Sequence, residues 1–241
     1  LSKKLALAVF ASDALSSTAY ATEEILLVLV TAGTIYLNLA TPIAAAITAL
    51  LVIVVLSYRQ TVRAYPGGGS SYIVASENLG RGAGLLAAAA ILSDYVLTVA
   101  VSISAGTLAI VSAFPVLAPF SVEIALLALA TVAIMNLRGA RESGTVFAVP
   151  TYLFIVLFGL LIAVGLGRMA IGDLGPIQYT EGATHATEAL GVFLILRAFA
   201  SGATALTGVE AISDGVTAFR PPEWRNASVT MVWMAAILAT F

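Results

Sequence analysis

The stretch ASDALSSTAY, Ala11 to Tyr20, sets one carboxylate, Asp13, and three hydroxyls, Ser16, Ser17 and Thr18, in a segment otherwise apolar enough to enter a membrane. A charged side chain at mid-bilayer costs about 2.5 kcal/mol or more, so an acid there calls for a partner or a task. Its neighbours indicate a task. Asp13, Ser16, Ser17, Tyr20 and Glu24 follow i, i+3, i+4, i+7 and i+11, a single polar stripe on a continuous helix.

The rest of the chain supplies the membrane. The 241 residues are 60% hydrophobic and 10% charged, with a mean hydropathy of +1.03. A soluble fold could not cover so many apolar side chains, which points to an all-α polytopic membrane protein. Apolar runs long enough to cross recur near 5–31, 42–63, 83–113, 121–138, 145–171 and 189–219, and a seventh begins near 227. The chain opens without methionine and stops at Phe241 inside an apolar run, so we read it as a fragment covering about spans 1–6 and the start of span 7. Net charge is -2 and no basic run exceeds Lys3-Lys4, which argues against a nucleic-acid partner. The absence of cysteine excludes disulfides and thiolate metal sites, and no cofactor is expected.

Loop charges set the orientation. Lys3, Lys4, Arg59, Arg63, Arg81, Arg138, Arg141, Arg220 and Arg225 fall on alternate connections, and the intervening loops Thr31 to Thr41 and Pro115 to Glu123 hold no Lys or Arg. By the positive-inside rule the N-terminus is cytoplasmic and the protein is a multi-pass component of the plasma membrane.

Two spans are interrupted. The first carries the opening stretch, and the sixth carries Ser201-Gly202-Ala203-Thr204-Ala205-Leu206-Thr207-Gly208. Aligned from Ala11 and Ala200, the two stretches share Ala, Ser, Ala and Thr. Small residues also serve close helix packing. However, breaks in spans of opposite direction suit an inverted repeat, whose paired broken helices form the site of a secondary transporter. On that division residues 1–175 hold the first five-helix repeat and 186–241 begin the second.

Two further spans carry polar faces. Asp94, Thr98 and Ser102 recur every four residues in span three, with Tyr95 beside the first; Thr207, Glu210 and Asp214 follow i, i+3 and i+7 in span six. Carboxylates, hydroxyls and freed carbonyls are hard oxygen donors that suit Na⁺, K⁺ or H⁺ and repel the carboxylate of an amino acid. A buried carboxylate can also carry a proton. The structural alternative for Asp94 is a bond to a neighbouring helix. His185 falls in a polar outer loop and reads as solvated.

Arg197 precedes Thr207 by as many residues as Glu23 follows Asp13. Antiparallel packing of spans one and six would bring it to Glu23 or Glu24 as a gate pair; the alternative is an arginine reaching lipid headgroups. The glycine-rich YPGGGSSY, Tyr65 to Tyr72, lacks the Gly-Lys-Ser/Thr ending of a phosphate loop and reads as a turn into an interfacial segment, Ile73 to Leu79. An intramembrane hydrolase lacks a histidine base in any span and is left with an Asp13–Asp94 dyad. A non-transporting sensor would bind without flux.

Together, FASDALSSTAYATEE, YPGGGSSY, LSDYVLTVAVSISAG and ASGATALTGVEAISDGV resemble the amino acid–polyamine–organocation (APC) superfamily, closest to its bacterial KUP-type, KimA-like potassium importers. The resemblance implies a LeuT-like five-plus-five inverted-repeat fold, a homodimer, and potassium uptake driven by protons. Carried over, the potassium-binding positions are Asp13, Tyr20, Asp94, Tyr95, Thr98, Ser102, Thr207 and Glu210. Amino-acid permeases of the superfamily open the first broken helix with glycines, whose N–H groups hold the substrate carboxylate; here Asp13-Ala14-Leu15-Ser16-Ser17 stands in that place. An amino-acid permease on the same fold is the second reading.

Overall fold

A computed structural model of the chain describes residues 1–137, 140–173, 175 and 186–241, without the side chains of 140–143. His185, Arg138 and the Arg141 side chain lie outside the described residues. Everything regular among the described residues is helical.

Span one is two helices, α1 (Lys3–Phe10) and α2 (Ser12–Val30). Ser2 starts α1 by accepting the Leu5 N–H on its side chain. The break falls at Ala11, whose N–H still reaches Leu7, and the ladder resumes with Leu15 donating to the Ala11 carbonyl. A 3₁₀ turn over Thr34–Leu39 leads into α3 (Ala40–Ala64). Ile43, Ile47, Leu51 and Val55, spaced by four, turn one stripe of α3 to the core. The Gly-rich turn follows, then α4 (Ser71–Leu79), capped by the Ser70 hydroxyl accepting from Ile73. Gly80, at φ +93°, reverses the chain into α5 (Arg81–Ala113). Ser76 of α4 sits against Gly84 of α5, where any side chain would collide.

Next come α6 (Ser121–Leu137) and α7 (Ala140–Ala170). Few side chains of α5 to α7 are buried among the described residues, and the three helices are apolar over most of their length. Span six is α8 (Val192–Gly202), a 3₁₀ turn at Ala203–Leu206, an extended Thr207, Gly208 at φ +75°, and the single turn α9 (Ala211–Asp214). Span seven begins as α10 (Glu223–Thr240). Among the described residues, five segments are long and apolar enough to cross a membrane: Thr34–Ala64, Arg81–Ala113, Pro115–Leu137, Gly144–Ala170 and Val192–Asp214. Span one falls outside that set because it is split and acidic.

Spans one and six run antiparallel along their whole length. The Arg220 N–H meets the Leu1 carbonyl, Phe10 stacks on Phe219, Ser17 meets Thr207, Ile25 presses on Gly202, and the Thr187 and Glu188 N–H groups donate to Thr31. Apolar clusters fill both sides of the breaks. One gathers Leu7, Leu15, Leu51, Val62, Ile212 and Met231; the other gathers Ile25, Leu29, Ile43, Ile47, Leu194 and Ala198. The breaks therefore sit between two packed regions, which hold the interrupted backbones in place.

Candidate functional site

The site begins with a left-handed residue. Gly208 takes φ +75°, and a Cβ there would stand 2.6 Å from the Asp13 Oδ2. The absence of a side chain lets the Asp13 carboxylate lie directly on the unwound backbone of span six. Four residues on, Ser17 is fully buried and its hydroxyl lies 3.0 Å from Thr207 Oγ1 and 3.0 Å from the Tyr20 hydroxyl. Tyr20 continues the chain to Ser102 of α5 at 3.3 Å. Thr207 and Ser17 are anchored through the Thr204 and Asp13 carbonyls, at 2.8 and 3.2 Å. Hydroxyls of spans six, one and three thus form one line across the break.

Beside that line lies a cavity of about 450 Å³, lined by Ser12, Asp13, Ser16, Tyr95, Thr98 and Ser102. Among the described residues, neither lysine nor arginine contributes to its wall. Asp13, Asp94 and Glu210 are close enough to feel one another's charge, and Tyr95 lies within the field of all three. Oxygen donors with uncompensated negative charge form a binding environment for a small cation and a poor one for an anion.

Of the expected positions, Tyr20, Ser102 and Thr207 share the hydroxyl line, while Asp13, Tyr95, Thr98 and Ser102 share the cavity. Asp94 and Glu210 approach Asp13 electrostatically. Ser17 links spans one and six, which the polar stripe had pointed to without making it a ligand. Asn136, a lone amide in span four, also lines the cavity and was missed; its one signal is a polar residue in the run AIMNL.

The expected gate pair is corrected. Arg197 binds Glu188, Nη1 to Oε1 at 3.5 Å, and among the described residues it forms no ion pair with Glu23 or Glu24. The reason is helix phase. α8 turns Leu194, Ala198 and Gly202 inward, which leaves Arg197 on the flank beside the incoming loop. Glu23 and Glu24 instead line a separate cavity of about 680 Å³ between the C-terminal halves of α2 and α5.

The glycine turn has a role that its reading as a connector did not include. The Gly69 N–H donates to the Ser213 carbonyl and the Ser213 hydroxyl donates to the Gly69 carbonyl, both at 3.2 Å. Gly68, at φ +110°, abuts the Asp214 carbonyl. The loop before α4 therefore closes over the C-terminal part of span six, at Ser213 and Asp214.

Comparison with known proteins agrees with this architecture. The sequence profile described as "Amino acid permease" matches residues 2–241. The "Potassium transporter KimA" of Bacillus subtilis (strain 168) is 49% identical over 240 residues, which cover 99% of this chain and 39% of that protein. The chain spans about two fifths of the length of that relative. With two broken helices crossing at an oxygen-lined cavity and a family match over nearly every residue, the chain belongs to the amino acid permease family of the APC superfamily.

Proposed function

We propose that the chain forms the ion-binding part of a secondary transporter that imports K⁺ together with H⁺ by alternating access, with its site between spans one, three and six. The observation that carries this reading is the hydroxyl line Thr207–Ser17–Tyr20–Ser102 beside a cavity that has Asp13 in its wall and, among the described residues, no cationic side chain. The printed name of the Bacillus relative favours potassium as the ion. Asp13, Tyr20, Asp94, Tyr95, Thr98, Ser102, Thr207 and Glu210 serve as the binding positions, and one of Asp13, Asp94 and Glu210 carries the proton.

On this reading residues 1–175 form the first repeat and 186–241 begin the second; the antiparallel register of spans one and six supports the division. The N-terminus is cytoplasmic, the protein works as a homodimer in the plasma membrane, and it is a transporter rather than an enzyme. Potassium-limited growth of cells carrying the full-length protein tests the proposal. Asp94→Asn and Glu210→Gln should each abolish or severely slow growth, and normal growth of both would overturn the ion-site assignment.

An amino acid substrate is the second reading, favoured by the description of the family profile. The Asp13 carboxylate at the break opposes it, because an amino acid's own carboxylate would meet like charge there. Purified full-length protein that binds an amino acid and ignores K⁺ would decide for that reading.

A further inference from the structure

At the basic end of the bundle, α3 and α10 enclose a second cavity of about 560 Å³, lined by Leu56, Arg59, Gln60, Arg63, Trp224 and Ser228. Among the described residues, no carboxylate contributes to its wall. Arg59 donates from Nε to the Ser228 hydroxyl at 3.0 Å, which orients its guanidinium, and among the described residues its terminal nitrogens make no further hydrogen bond. Arg63 lies over the Trp224 ring with its Cζ 5.0 Å from the centroid, and Arg225 approaches the same ring at 5.9 Å. Among the described residues none of these arginines is in an ion pair. Two guanidiniums, Arg59 and Arg63, line the cavity with no carboxylate among its described lining residues, and an anion between them would accept charge-assisted hydrogen bonds.

The face of α3 that carries this charge also shows what kind of anion fits. Val52 and Leu56, 50% and 51% exposed, continue at helical spacing into Arg59 and Arg63. From Leu56 to Arg63 is about 10 Å along a helix. One stripe therefore passes from an apolar surface to a cationic one over the depth at which a lipid passes from acyl chain to phosphate. Trp224 stands at that level, where aromatic rings settle at a membrane interface. A free phosphate would use the arginines and leave Leu56 without a role.

We propose that this cavity binds the phosphate headgroup of an anionic phospholipid, with the acyl chains lying along Val52 and Leu56. The site is distinct from the ion cavity and does not rest on the choice of transported substrate. The test is native mass spectrometry of the full-length protein titrated with phosphatidylglycerol or phosphatidylcholine. Phosphatidylglycerol should bind in preference. Arg59→Gln or Arg63→Gln should each weaken it roughly fivefold, and the double variant roughly thirtyfold, by the usual effect of one basic residue near an anionic surface. The single variants give the answer if the double variant does not fold. Arg168→Gln, whose partner is Asp173 at the other end of the bundle, should leave binding unchanged. Equal binding of the two lipids, undiminished phosphatidylglycerol binding by the glutamine variants, or displacement of the lipid by inorganic phosphate would overturn the proposal.

Discussion

Gly208 and Ser17 bear most on the geometry of the site. A side chain at Gly208 would have to adopt a left-handed backbone, at about 1–2 kcal/mol, and displace the Asp13 carboxylate as well. Gly208→Ala should therefore lower the thermal midpoint of the full-length protein and impair potassium-limited growth; a variant with unchanged midpoint and growth would show that the close approach is dispensable. Ser17→Ala removes the hydroxyl shared by Tyr20 and Thr207. At about 1 kcal/mol for a lost buried hydrogen bond, the K⁺ concentration for half-maximal uptake should rise roughly fivefold. Tyr20, Ser102 and Thr207 were legible in the sequence because polar side chains at helical spacing in an apolar run are costly without a purpose. Ser17 was legible only as a member of a stripe, since its partner Thr207 stands 190 positions away.

Among elements, apolar length predicted spans two to six, which are long and apolar enough to cross, and glycine with hydroxyl residues predicted the break in span six. The break in span one is milder than its composition suggests, a single residue at Ala11. No glycine opens it, and the Ser16 and Ser17 hydroxyls bond back to the Asp13 carbonyl within α2. Packing between elements turns on small residues. At Gly202 a Cβ would meet Ile25 side-chain carbons at 2.5 Å, so the Ile25 side chain of α2 packs directly onto the α8 backbone. Gly202→Val should destabilise the fold by about 1–3 kcal/mol through overpacking. Pairing it with Ile25→Val should recover part of that loss in thermal denaturation, because the two sites are in contact. Additive losses would place the clash elsewhere.

For the molecule as a whole, the antiparallel pairing of spans one and six fixes the register, and pairs of introduced cysteines test it, since these 241 residues hold none. Thr31→Cys with Glu188→Cys should cross-link efficiently, since the Glu188 N–H donates to Thr31 at 3.0 Å. Thr31→Cys with Ser213→Cys, from opposite ends of the pair, should not. Orientation can be probed with single cysteines in intact cells: Lys4→Cys should resist and Asp173→Cys accept a membrane-impermeant thiol reagent, and the reverse pattern would invert the assigned topology. The sequence by itself determined the membrane class, the helical architecture and the two interruptions, because burying apolar length in lipid and charge within a span leaves few alternatives. Only the tertiary structure decided which residues meet: Gly208 under Asp13, Ser17 between two spans, the glycine turn on span six, and Arg197 on Glu188 instead of Glu23 or Glu24. Those contacts depend on helix phase and on approach to within a few tenths of an ångström, which periodicity along a single chain does not encode.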